Sequence, residues 1–261
     1  MKRIKLTVAY DGTNYSGWQI QPNAPTIENV LDEAIFKTTG ERIHVTGASR
    51  TDAGVHALGN VAVFDTESSI PGDKWAFAIN RNLPEDVSVV ESREVKPDFH
   101  PRHCNTVKTY EYTMLCGVHP LPQLRSTSWH VGYGLDIEAM REAAAILVGE
   151  HDFKSFCCVK TQVESTVRTV YSIDFEEVPA GWNGSHSLIT MRIRGNGFLY
   201  NMVRIIAGTL AQVGKGKLKT EDVKAMLEAQ NRCEAGQTAP PQGLSLMNIH
   251  YADGDDAAYC G

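Results

Sequence analysis

A chain of 261 residues is long enough for one large domain or two small ones, and its composition is that of an ordinary soluble globular protein. No apolar run approaches the length of a membrane span, and the six cysteines form no Cys-x-x-Cys pair, which argues against a zinc ribbon and against a disulfide framework. The net charge of −6 gives no support to nucleic-acid binding, although it does not exclude it, because binding needs a local positive surface rather than a positive total.

In chain order, Ile4, Leu6, Val8 and Tyr10 alternate with Lys5, Thr7 and Ala9, which predicts a half-buried strand closed by Asp11-Gly12. That alternation after Lys2, Arg3 and Lys5 is not a signal peptide, so a cytoplasmic protein is expected. Pro25-Thr26 opens a helix with Ile27, Val30, Leu31, Ala34 and Ile35 on one face, ended by Gly40. Residues 42–47 and 60–66 read as strands flanking a polar loop. Asp73 starts a short helix with Trp75, Ile79 and Leu83 inward, stopped by Pro84, and residues 87–95 form another strand. The order β-α-β-β-α-β is that of a ferredoxin-like split unit.

The second half repeats it. Residues 106–115 read as a strand, and 116–132 as an irregular Pro-containing loop. Asp136 caps a helix with Ile137, Met140, Ala144, Leu147 and Val148 inward, ended by Gly149. Strands are expected over 167–175 and 189–194, a helix over 199–213, a helix capped by Thr220, and a last strand over 244–251. The fold class expected is therefore α+β: two ferredoxin-like halves, residues 1–104 and 105–252, forming one extended antiparallel sheet with helices on one face. A flexible acidic tail follows over 253–261.

Between the first pair of flanking strands lies Ala48-Ser49-Arg50-Thr51-Asp52-Ala53-Gly54-Val55-His56-Ala57. A carboxylate fixed on a stiff loop can act as nucleophile or as general acid/base, and Arg50 and His56 can hold it ionised. The same residues would also serve as a plain hairpin connection, with Thr51 and Asp52 capping a turn. Arg204 points away from the stripe Met202, Ile206, Leu210 and Val213, beside Ala207, Gly208 and Ala211. Small neighbours let another backbone approach, so Arg204 reads either as an enclosed guanidinium or as an exposed surface residue. Tyr110 and Tyr112 share one strand face with Lys108; an aromatic on an open sheet can stack a base, or simply pack. Gly195-Asn196-Gly197-Phe198 lacks the rest of a phosphate loop and reads as a turn, and Lys215, Lys217 and Lys219 contact phosphate or solvent. His100, His103 and Cys104 have no second ligand pair nearby, so no metal is expected.

Together these segments resemble a known family. Arg50-Thr51-Asp52-Ala53-Gly54-Val55-His56 is similar to the active-site motif of the tRNA pseudouridine synthase A family. Tyr10-Asp11-Gly12-Thr13-Asn14-Tyr15-Ser16-Gly17-Trp18-Gln19 resembles its N-terminal strand and loop. Asp98-Phe99-His100-Pro101-Arg102 and Lys108-Thr109-Tyr110-Glu111-Tyr112 resemble the segment holding its base-stacking Tyr. Gly197-Phe198-Leu199-Tyr200-Asn201-Met202-Val203-Arg204 resembles the stretch bearing the basic partner of the Asp, and Gly243-Leu244-Ser245-Leu246 its C-terminal strand. One departure is Ser49, where the family commonly has Gly; a positive φ there would cost a serine more.

The resemblance implies isomerisation of uridine to pseudouridine at positions 38, 39 and 40 of the tRNA anticodon stem-loop, on a double ferredoxin-like sheet, by a homodimer without cofactor, metal or membrane. It implies Asp52 as catalytic residue with Arg204 as its basic partner and Tyr110 stacking the base. Arg50, His56, Lys108 and Leu244 are expected to bind RNA. A non-catalytic RNA-binding protein would leave Asp52 without a task, since an acid near phosphates works against affinity. An Asp-dependent hydrolase would want a metal or a second carboxylate; Asp11 is a candidate that nothing in the sequence places beside Asp52.

Overall fold

The computed structural model describes residues 1–132, 134–158 and 164–251. The acidic tail read over 253–261 lies outside the described residues. The elements in chain order are β1 (Lys2–Tyr10), α1 (Ile27–Thr39), β2 (Thr46–Gly47), β3 (His56–Thr66), α2 (Trp75–Asn80) and β4 (Val87–Val95). There follow β5 (Thr106–Cys116), β6 (Trp129–Gly132), α3 (Ile137–Ile146), β7 (Gly149–Asp152), β8 (Val167–Ala180) and β9 (His186–Gly195). The chain ends with α4 (Met202–Gly214), α5 (Thr220–Ala229) and β10 (Leu244–Tyr251). The expected α+β class holds. The chain divides into two compact units, Met1–Val107 with the segment from Ser245, and Lys108–Leu244.

In the first unit the strand order is β4-β1-β3-β10, with β2 also on β3. β1 runs antiparallel to β3, Leu6 opposite Ala62, and antiparallel to β4. β10, read from the sequence as the last strand of the second half, pairs with β3 in parallel, Ser245 opposite His56 and Leu246 opposite Ala57. Gly59 makes that approach possible, because a Cβ there would lie 2.7 Å from the Met247 carbonyl oxygen. The pairing also explains why β3 starts at His56, four residues before the sequence pattern suggests. The strand expected over 42–47 shrinks to two residues. Asp32 of α1 takes the Val45 N–H at 2.9 Å and His44 Nδ1 at 2.7 Å, so this backbone is satisfied by a helix side chain rather than by a ladder.

α1 begins as expected: Thr26 is the N-cap and its hydroxyl accepts from Asn29 N–H, while Gly40 closes the helix at φ 77°. Its stripe residues Leu31 and Ile35 are fully buried, as are Ile4, Leu6 and Val8 of β1 and Trp75 of α2. β1 alternates as expected, with Ile4, Leu6, Val8 and Tyr10 buried and Thr7 and Ala9 partly accessible. Lys5 on the other face is also buried, its ammonium 5.1 Å from the centre of the Tyr251 ring contributed by β10.

In the second unit the order is β5-β9-β8-β7, with β6 parallel to β5, Met114 opposite Trp129. The sheets are thus mixed rather than purely antiparallel. The segment 116–132, expected to be irregular throughout, ends in β6. Gly149 opens β7 at φ 116° rather than ending α3, which stops at Ile146. Asp136 caps α3 by accepting from Ala139 N–H. The cap of α5 falls one residue earlier than expected: Lys219 is the N-cap position and its N–H donates to Asp222 Oδ2 at 2.8 Å. α4 is buried nearly all round, with only Arg204 and Gln212 partly accessible.

Candidate active site

The carboxylate loop leaves β2 at Gly47 and enters β3 at His56. Ala48 N–H donates to the Val61 carbonyl at 2.7 Å, and Val55 N–H closes the turn on the Asp52 carbonyl at 3.1 Å, with Gly54 at φ 76°. Asp52 is half-buried and Arg50 exposed. Ser49 is buried and is not among the residues with positive φ, so the cost anticipated for replacing Gly there does not arise.

The N-terminal segment between β1 and α1 braces this loop from end to end. Tyr10 Oη and Thr51 Oγ1 share a hydrogen bond of 2.8 Å, and Asn60 Nδ2 donates to Tyr10 Oη at 3.2 Å and to the Ser49 carbonyl at 2.9 Å. Gly54 N–H donates to the Tyr15 carbonyl and Trp18 N–H to the Thr51 carbonyl. Gly12 and Gly17 stand where the two backbones touch. A Cβ on Gly12 would lie 2.0 Å from the Val55 carbonyl oxygen, and one on Gly17 2.6 Å from that of Thr51. Asn60, a poor strand former with no exposed surface, is the signal in the sequence that such a brace exists.

His56, expected to position RNA, is 9% exposed. Its Nδ1 accepts Gly12 N–H at 3.1 Å, tying the brace to the end of the loop. The same nitrogen lies 3.1 Å from Asp11 Oδ1, a contact that becomes an ion pair only when the ring is protonated. Burial pushes Asp11 up, but hydrogen bonds from Thr13 and the charge of His56 outweigh it and leave the carboxyl below its ordinary value. Asp11 is thereby engaged in the brace.

Trp18 anchors the far end. Its ring is fully buried against Gly47, where a Cβ would lie 2.2 Å from indole Nε1. Nε1 donates to Glu28 Oε1 at 2.6 Å, and Ile20 N–H donates to Oε2 at 3.0 Å. Glu28→Ala is expected to cost about 1–3 kcal/mol, because it strands a buried indole N–H. Glu28→Gln, which keeps an acceptor, is expected to cost less; urea midpoints of the two variants check this.

The remaining expected residues belong to the second unit. Tyr110 does not stand on an open sheet. It is 6% exposed and meets the edge of Phe198, ring centres 5.3 Å apart. Tyr112 is fully buried, its Oη donating to the Pro240 carbonyl at 2.7 Å; burial pushes this phenol well above its ordinary value, with the Arg204 charge opposing. Arg204 is enclosed, as its small neighbours suggest. Nε donates to the Ala239 carbonyl and Nη1 to Asn201 Oδ1, both at 2.8 Å, and Ala239 N–H donates back to the Arg204 carbonyl at 3.0 Å. The approaching backbone runs over Gly208, where a Cβ would lie 1.9 Å from the Gln237 carbonyl oxygen. Lys108 is half-buried opposite Gly195, and Leu244 is buried at the start of β10. Asn196 Oδ1 accepts Thr169 N–H, so 195–198 is a turn stapled to β8.

Among the described residues no group of three or more His, Cys, Asp or Glu could hold a metal ion, and no helix is long and apolar enough to cross a membrane. A family model described as tRNA pseudouridine synthase matches residues 6–103 and 143–252. A protein of Thermoanaerobacter sp. (strain X514) named tRNA pseudouridine synthase A is 46% identical over 251 residues, covering 96% of this chain and 100% of the relative. Relatives of the same name from Bacillus velezensis and Bacillus subtilis (strain 168) are 47% and 44% identical, each covering 95% of this chain and 99% of the relative.

Proposed function

The chain belongs to the tRNA pseudouridine synthase family, isomerases that convert uridine in tRNA to pseudouridine, and from that premise we propose that it acts on positions 38, 39 and 40 of the anticodon stem-loop with Asp52 as the catalytic carboxylate and neither cofactor nor metal. The bracing of the Asp52 loop by residues 10–18 carries the assignment of Asp52. A carboxylate that must meet one atom of a flipped nucleotide gains from a loop held by bonds from these residues at Thr51 and Gly54, and from Asn60 at Ser49.

The reaction breaks the C1′–N1 bond, turns the uracil within the site, joins C5 to C1′ and releases the C5 proton to water, while N1 takes up a proton. Atoms and electrons balance without an oxidant. The uridine must leave its stack before a side chain can reach it. Asp52 starts the cleavage, as nucleophile or as base. Following the resemblance of their motifs, Arg204 supports the carboxylate in its ionised form and Tyr110 stacks on the uracil during its turn. Arg50, Lys108 and Leu244 contact the RNA, and His56 supports the loop. The enzyme works in the cytoplasm as a homodimer.

The test uses purified protein and unmodified tRNA carrying tritium at uridine C5, with a chelator present. Tritium release to water, with product mapped to positions 38, 39 and 40, is the expected result. Binding without release would favour a non-catalytic RNA-binding protein, strand cleavage a hydrolase, and loss of activity on chelation a metal.

A further inference from the structure

A second cationic side chain reaches the root of the loop that carries Arg50. The segment after β4 folds on itself, with Phe99 N–H on the Lys96 carbonyl and His103 N–H on the His100 carbonyl. The turn presents Arg102, which is exposed, yet its Nε donates to the Gly47 carbonyl at 2.6 Å. One edge of the guanidinium is therefore fixed to the root of the carboxylate loop, and its other nitrogens remain available. Partial burial on the side that meets Gly47 holds Arg102 below its ordinary value, and the charge of Arg50 adds to that; Glu28 opposes it. Among the described residues no carboxylate forms an ion pair with Arg50 or Arg102. Glu28 already receives Trp18 Nε1 and Ile20 N–H.

The neighbouring His100 holds no proton on Nδ1. His100 and His103 stack with ring centres 3.9 Å apart, and His100 Nδ1 accepts Arg102 N–H at 3.2 Å, which requires an unprotonated nitrogen. Burial, followed by the charges of His103, Arg102 and Arg3, keeps His100 below its ordinary value. What remains is the Arg102 guanidinium, fixed by Nε to the Gly47 carbonyl at the root of the loop that carries Arg50, in a chain of net charge −6. Like charges so placed repel in the free protein, and an anion lying between them relieves the repulsion. The guanidinium fork matches the oxygens of a phosphate group.

We propose that Arg102 and Arg50 together clamp one phosphodiester of the RNA backbone next to the target uridine. This rests on the tRNA reading above. Phosphate contacts set register and orientation without reading sequence, which suits an enzyme that serves several adjacent positions.

The experiment compares wild type, Arg102→Gln and Arg102→Lys on an anticodon stem-loop RNA. Arg102→Gln is expected to raise KM about tenfold with kcat falling much less, and to reduce the slope of log binding constant against log salt by about 0.7–0.9. Arg102→Lys should recover the salt slope. A scan of single methylphosphonates along the loop should find one position at which wild type and Arg102→Gln become equal. An active wild type whose salt slope is unchanged by Arg102→Gln, or methylphosphonate effects that add to the substitution at every position, overturns the clamp alone. A fall in kcat with unchanged slope likewise overturns it, assigning Arg102 to holding Gly47. A wild type that forms no pseudouridine overturns the tRNA reading, and this one with it.

Discussion

Asp52→Asn is expected to lower pseudouridine formation by roughly 10⁴-fold or more while RNA binding stays within about threefold of wild type. The substitution keeps size and shape, and the backbone bond from Val55 N–H to the residue 52 carbonyl needs no carboxylate. Bonds from Asn60, Tyr10, Trp18 and Tyr15 hold the loop at Ser49, Thr51 and Gly54, and the substitution leaves all of them in place. The loop should therefore keep its conformation and lose only the group that starts C1′–N1 cleavage. Tritium release under single-turnover conditions measures the first quantity, and filter binding of unmodified tRNA the second. A variant retaining a tenth of the activity would end the role proposed for Asp52. Loss of activity and binding together would mean that residue 52 holds the loop rather than performs chemistry.

Gly12→Ala is expected to reduce kcat by about 100-fold although residue 12 carries no reactive group. The added methyl would lie 2.0 Å from the Val55 carbonyl oxygen and 2.6 Å from its carbonyl carbon, backbone atoms with no rotamer through which to yield. Either the 12–14 turn or the carboxylate loop must move. Both are tied to His56, through Gly12 N–H on Nδ1 and through the chain itself. A displacement of about 1 Å at a reacting carboxylate costs a rate of this order. The crowding also costs about 1–3 kcal/mol of stability, visible as a lowered urea midpoint. Thr13→Ala serves as control: the Thr13 hydroxyl reaches Asp11 at the exposed end of the turn, and its removal should leave kcat within about twofold. Unchanged kcat in Gly12→Ala would mean that the close contact with Val55 does not set the position of Asp52.

The local devices were legible one by one. Thr26 and Gly40 bound α1 as their capping chemistry requires, Asp136 caps α3, and β4 spans the residues its pattern marks. For Arg204 the sequence offered both an enclosed and an exposed reading; Ala207, Gly208 and Ala211 supplied the first, because a helix face of small side chains admits a second backbone, here at Gln237. The Asp52 loop stood out because several short motifs agree along the whole chain. Arg102 could be read as part of a motif, but no spacing says that its Nε reaches Gly47, 55 positions earlier.

By itself the sequence determined periods, caps, turns and the chemical groups available, since these depend on neighbours a few residues apart and on backbone geometry common to all chains. The tertiary structure alone decided that β10 joins β3, that β2 is cut to two residues by Asp32, that Lys5 is covered by Tyr251, that Tyr110 is enclosed, and that His56 faces Gly12. Each of these joins segments far apart in the chain. A strand edge or a buried nitrogen can be satisfied by many partners of similar local merit, and which one prevails is set by the register and closure of the assembled unit.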